Sequence, residues 1–196
     1  MICAVVLAAG RSERMGTQKL LLPLQGRTII GGIVDELVNS PLEAILVVTG
    51  REAGRIQQAL AGRQVSFVSN PEPAGDMLSS VRCGLRTLPA GCDAVVVVLG
   101  DQPGLRRGLV MQLLRAYRRT NCGIVVPAHS GRRGHPLLFA TRFSAEVLSR
   151  FDGIGLRGLL AAHPKEIHEV PTTTAAELQD MDTPEDYQQQ LKPTTI

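Results

Sequence analysis

Aromatic side chains make up only 3% of this 196-residue chain, so few rings are available to stack on bases. The surplus of positive charge is also small, +3, and its arginines are dispersed through Arg106-Arg107, Arg118-Arg119 and Arg132-Arg133. Together these disfavour a nucleic-acid surface and suit anionic small molecules better. Cysteine is sparse as well. Cys3, Cys83, Cys92 and Cys122 are widely spaced, with no C-x-x-C pair, which gives neither a zinc signature nor a disulfide scaffold. They are expected to be small buried apolar residues in a reducing cytoplasm. No apolar run approaches a membrane span, and with the first strand so near the start no signal peptide is expected. Internal repeats, low-complexity tracts and linkers are missing too. Hydrophobic content of 44% and charged content of 20% are ordinary for a soluble globular chain. The length suits one domain, 1–196, with a sizeable core.

Two familiar phosphate loops are also missing. Gly10 and Gly16 are followed by Thr-Gln-Lys, which is not the G-x-x-x-x-G-K-[ST] of a P-loop, and no G-x-G-x-x-G is found. What stands in their place is Leu7-Ala8-Ala9-Gly10-Arg11-Ser12-Glu13-Arg14-Met15-Gly16-Thr17-Gln18-Lys19, directly after the apolar run Ile2–Leu7. Small residues let a ligand approach the backbone N–H groups, and Arg11, Arg14 and Lys19 surround that backbone with cations. At the carboxyl end of a buried strand, where ligands of open α/β sheets bind, such a loop suits a triphosphate.

Ile2–Leu7, Ala44–Thr49, Val65–Ser69 and Ala94–Leu99 read as short buried strands, alternating with helical spacing over Ile29–Asn39, Glu52–Ala61 and Met77–Leu88. Alternation of this kind predicts right-handed crossovers and a three-layer α/β/α, Rossmann-like sandwich with a mostly parallel central sheet. Past Pro103 the spacing predicts an amphipathic helix over Leu105–Arg119. A hairpin-like pair, Ile124–Ala128 and Pro136–Ala140, follows, then helices near Ser144–Arg150 and Leu156–His163 and a strand near Glu166–Val170. Thr183-Pro184 marks a final helix start.

Asp101 follows the strand Ala94–Leu99, which puts its carboxylate at the same sheet edge as the Gly10 loop. Mg²⁺ takes one or two carboxylates plus phosphate oxygens, so Asp101 is a candidate ligand, with helix capping or turn formation as the plainer alternative. Asp180 and Asp182 precede the final helix, where Asp182 suits capping beside Thr183. Gly75-Asp76-Met77-Leu78-Ser79-Ser80 opens a helix whose start suits either ordinary capping by Asp76 or hydrogen bonds to a base edge.

The first loop resembles the signature of nucleotidyltransferases that share the sugar-nucleotide pyrophosphorylase fold. Gly100-Asp101-Gln102-Pro103, Gly134-His135-Pro136 and Asp180-Met-Asp-Thr-Pro184 extend the resemblance along the chain, with the molybdenum-cofactor cytidylyltransferases as the nearest members. The resemblance implies transfer of CMP from CTP to the phosphate of molybdenum-bearing molybdopterin, giving a cytosine dinucleotide for a molybdenum hydroxylase. It implies a nucleotide-binding half over 1–103, with Leu7, Ala8, Ala9, Gly10, Arg11, Ser12, Arg14, Lys19, Gly75, Ser80 and Asp101 at the nucleotide. Arg14 would hold the β- and γ-phosphates, Lys19 the charge at the α-phosphate, and Asp101 and Asp182 the Mg²⁺. An acceptor-binding half over 104–196 would place His135 and Arg157 at the molybdopterin, although Leu156 stands where that family usually has alanine. Ala8-Ala9, where guanylyl members carry Gly-Gly, implies cytosine. The implied protein is a cytoplasmic monomer. A different phosphate acceptor, a guanylyl activity and a non-catalytic cofactor carrier are the alternatives.

Overall fold

A computed structural model describes residues 1–10, 12, 15–72 and 76–191. Its centre is β1 (Ile2–Ala8), whose neighbours are β4 (Ala44–Thr49) and β6 (Ala94–Leu99), both parallel to it. All three are almost entirely apolar and rich in β-branched residues because both faces of the sheet are covered. On one face Ala4, Val6 and Ala8 pack with α1 (Ile29–Val38), α2 (Ala53–Ala59) and α4 (Arg107–Arg119). On the other, Val5 packs with α3 (Met77–Arg86), α5 (Ser144–Ser149) and α6 (Leu156–Ala162). The period of two along β1 thus divides one strand between two helical layers. Gly84 brings α3 close, since a Cβ there would lie 2.4 Å from Val5 Cγ1.

The sheet continues through β5 (Ser66–Ser69), parallel to β4. At its other side β9 (Leu137–Ala140) inserts antiparallel between β6 and β7 (Ile124–His129), and β10 (Ile167–Pro171) closes that edge parallel to β7. The order is β10-β7-β9-β6-β1-β4-β5. The expected mostly parallel three-layer architecture is what the chain adopts. The pairing expected of 124–128 with 136–140 is present, extended by β8 (Arg132–Arg133) at its tip.

Some boundaries differ from the sequence expectation. The helix expected from Leu105 starts at Arg107, because Leu105 N–H closes a turn onto Gln102 O at 3.1 Å and Arg106 is extended. A two-residue hairpin of β2 (Pro23–Leu24) and β3 (Arg27–Thr28) carries no periodicity that would announce it. Thr28 then caps α1 through Gly31 N–H, as its position before the apolar spacing suggests. Last comes α7 (Pro184–Leu191). Among the described residues no helix is long and apolar enough to cross a membrane, and all four cysteines are free.

Candidate functional site

Three chain segments meet at the carboxyl edge of the sheet. β1 runs out through Ala9 and Gly10, and the turns after β4 and β6 close against it from either side. Gly100 N–H donates to Leu7 O at 3.0 Å, and a Cβ at Gly100 would sit 2.7 Å from that oxygen. Gly50 is packed equally tightly, its would-be Cβ 2.9 Å from Ala9 O. Beyond Gly10 the chain folds back on itself. Ser12 Oγ donates to Gln18 Oε1 at 2.9 Å and accepts from Lys19 N–H at 3.2 Å. Gln18 has none of the charge or smallness that marks a phosphate loop, yet it organises this one and caps the 3-10 turn Lys19–Leu21. Arg11, Arg14 and Gly75 lie outside the described residues.

Lys19 is buried, with its ammonium between two carboxylates, 2.5 Å from Asp101 Oδ2 and 2.8 Å from Asp182 Oδ1. Burial alone would lower its pKa. The Asp101 carboxylate, followed by Asp182, outweighs that and holds the ammonium above the ordinary lysine value. Asp182 reaches this point because the segment before α7 is pinned. Met181 is buried, and its N–H donates to Asp101 O at 2.9 Å. Capping of α7 falls to other groups: Asp186 N–H donates to Thr183 Oγ1, and Asp186 Oδ2 accepts from both Asp182 N–H and Thr183 N–H. The Asp182 carboxylate is turned to Lys19 rather than spent on the helix end. Asp180 takes a different partner, accepting from Gln102 Nε2 at 2.8 Å. Burial first, then the Asp101 charge, raises the Asp180 carboxyl above the usual range, while the Gln102 amide opposes them.

Ser80 lies on α3 one turn before Gly84, hence about 6 Å nearer the carboxyl edge than the contact with Val5. Its hydroxyl is buried and accepts from Asn70 Nδ2 at 3.0 Å, as the Ser79 hydroxyl does at 2.9 Å. Asp76 caps the helix through Ser79 N–H.

A cavity of about 800 Å³ opens beside this centre. Asp180, Gln102 and Leu99 lie on its wall together with His135 and Arg157, so the two acceptor candidates share one cavity. Burial, helped by the Arg157 charge and opposed by Asp101, brings the His135 pKa down to about 4 from 6.5, so the imidazole is neutral near pH 7. Its Nε2 is buried without a partner among the described residues. The unfolded chain therefore binds a proton that the folded protein refuses between these two values. Stability from this residue is full above the unfolded pKa and falls as pH drops towards the folded one. Acidifying from about pH 7.5 to about pH 5 should cost about 2 kcal/mol through His135 alone. Urea unfolding of the wild type and His135→Gln at the two pH values checks this, the variant losing that share of the slope.

The sequence profile of MobA-like NTP transferase domains matches residues 4–167, most of the chain. The chain belongs to that family. It is therefore a nucleotidyltransferase by family, and the match takes in Lys19, Asp101, His135 and Arg157 while stopping short of Asp182. Over 190 residues it is 26% identical to the molybdenum cofactor cytidylyltransferase of Escherichia coli strain K12, covering 95% of this chain and 93% of that one. Among solved structures, Rv0371c of Mycobacterium tuberculosis H37Rv superposes with a TM-score of 0.83 at 28% identity, over 97% of each chain. The same mycobacterial protein is known in a complex with manganese, which superposes at 0.80 with 25% identity over 97% of each chain. A nucleotidyl transferase from Methanothermobacter also reaches 0.83 at 28% identity, over 97% of this chain and 96% of that one.

Proposed function

We propose that this family member transfers CMP from CTP to the phosphate of molybdenum-bearing molybdopterin, releasing pyrophosphate and forming molybdopterin cytosine dinucleotide. The observation that carries the reading is the meeting of Lys19, Asp101 and Asp182 at one point beside a large cavity. Residues 1–103 supply the nucleotide half, with Leu7, Ala8, Ala9, Gly10, Arg11 and Ser12 around base, ribose and phosphates and with Gly75 and Ser80 at the base edge. Residues 104–196 supply the acceptor half and return Asp182 to the centre.

The donor set fits a divalent cation. Asp101 and Asp182 offer hard oxygens that already converge on a cationic group, and phosphate oxygens complete such a shell. When bound, Mg²⁺ neutralises phosphate charge and eases departure of pyrophosphate. The protein's own share is alignment and charge. Arg14 holds the β- and γ-phosphates, and Lys19 meets the charge that develops about the α-phosphorus as the acceptor phosphate attacks. A phosphate monoester is already an anionic nucleophile at neutral pH, so no general base is needed. His135 is neutral there and serves as a hydrogen-bonding group, while Arg157 supplies acceptor-side charge. The reading includes a cytoplasmic monomer that passes its product to a molybdenum hydroxylase.

The cavity bears on the acceptor. Its wall includes Leu78, Leu137, Leu156 and Leu160, and a small polyol phosphate would leave that apolar surface uncovered. Base choice rests on Ala9, whose backbone is held by the close approach of Gly50, and on this reading its methyl excludes a purine. With molybdopterin as acceptor, kcat/KM for CTP should exceed that for GTP by about 10²-fold. Ala9→Gly should admit some GTP, and Ser80→Ala should narrow the gap. Pyrophosphate release followed with both nucleotides tests this, and equal use by the wild type overturns the cytidylyl reading.

A further inference from the structure

Large apolar side chains on a protein surface are ordinary when scattered and informative when they share a cavity. Met77 is 49% exposed and Ile154 is 63% exposed, and both line the cavity beside Asp180. They come from different elements, Met77 from the first position of α3 and Ile154 from the turn between α5 and α6. That turn is firmly built. Phe151, Gly153 and Gly155 all have positive φ, and the Phe151 ring fills the space a Cβ on Gly158 would need, 2.3 Å from its Cδ1. Arg82 then ties the turn to α3. Its Nη1 donates to Asp152 Oδ1 at 2.6 Å, its Nη2 to Arg150 O at 2.7 Å and its Nε to Val147 O at 2.9 Å. A single guanidinium therefore fixes the element bearing Ile154 against the helix bearing Met77.

We infer that Met77 and Ile154 are the acceptor's apolar contacts, covering the faces of a planar fused heterocycle, and that Arg82 is the positioning residue that sets the spacing between them. A flat ring has two apolar faces and a polar edge. Those match two exposed aliphatic side chains on a wall that also carries the polar groups Asp76, Gln102, Arg133, His135, Arg157 and Asp180. Arg82 touches neither substrate. It acts through the turn, and its fork of donors occupies carbonyls at the end of α5 that would otherwise lack partners. The inference rests on the molybdopterin reading above and adds the residues that grip the ring.

The test is direct binding, by fluorescence titration of the protein with molybdopterin under anaerobic conditions and calorimetric titration with CTP. Ile154→Ser should weaken molybdopterin about tenfold and leave CTP affinity and melting temperature unchanged, since the side chain is exposed. Ile154→Leu should restore binding. Arg82→Ala should weaken molybdopterin similarly and speed amide hydrogen exchange over 151–156, with Arg82→Lys intermediate and CTP affinity again unchanged. Wild-type affinity for molybdopterin in both Ile154→Ser and Arg82→Ala overturns the clamp while the cytidylyl reading stands. Failure of the wild type to bind molybdopterin overturns both.

Discussion

Asp101→Asn should fold normally and lose turnover by about 10²-fold or more. The fold survives because the contact that ties this residue into the structure is its backbone carbonyl, which accepts from Met181 N–H and is untouched by the change. The side chain has a different duty. Its carboxylate stands 2.5 Å from the Lys19 ammonium and shares that cation with Asp182. The amide keeps the shape and removes the charge. It thereby weakens one of the two hard ligands offered to the cation and takes away half of the charge that balances Lys19. The loss falls on a step in which negative charge builds on the phosphates, so it appears in kcat and in a raised magnesium requirement rather than in CTP recognition alone. Pyrophosphate release over a magnesium titration measures both. Near-normal turnover at ordinary magnesium in the folded variant would remove Asp101 from the metal site.

How far the sequence speaks depends on which forces shape each element. β1, β4 and β6 are legible because a strand buried on both faces must be apolar throughout, and their alternation with helical spacing implies parallel crossovers. The insertion of β9 between β6 and β7 is not legible, because antiparallel and parallel neighbours impose the same apolar pattern on a strand covered on both faces. The same contrast holds at the site. Asp101 stands just past a buried strand, so spacing alone brings it to the carboxyl edge, whereas Lys19 lies well beyond the end of β1 and is returned there by the fold-back through Ser12 and Gln18. Asp182 has only the helix start beside it as a local signal, and there its two duties read alike. The choice is made by the burial of Met181 and by the capping pair Thr183 and Asp186, tertiary facts with no periodicity of their own. Gln18 and Gln102 are less visible still. An amide acts through the groups it is held against, and both sit in short turns whose partners lie elsewhere. Ile154 is a single exposed aliphatic residue in a glycine-rich turn, and its meaning emerges only when Arg82 brings that turn to α3.

Lys19→Ala should depress kcat by about 10²-fold or more while changing the KM for CTP little. The ammonium is buried, held above its ordinary pKa by Asp101 and Asp182 against the opposing effect of burial, and so is fully charged at any working pH. A cation kept charged at that cost is poised for the moment when charge accumulates on the α-phosphate. Uniform grip on the triphosphate is the duty assigned to Arg14, and Arg14→Ala should raise KM with the smaller effect on kcat. Lys19 has a second consequence that separates its role from that of a mere salt-bridge partner. Without it the carboxylates of Asp101 and Asp182 lose the ammonium they share, and one competitor with a divalent ion for their oxygens is removed. Manganese binding to the nucleotide-free protein, followed by electron paramagnetic resonance, should therefore hold or tighten in Lys19→Ala as turnover collapses. In Asp101→Asn the two should fall together. A Lys19→Ala protein that loses manganese affinity in step with kcat would mean that the lysine only holds the carboxylates in place, and that some other group meets the α-phosphate.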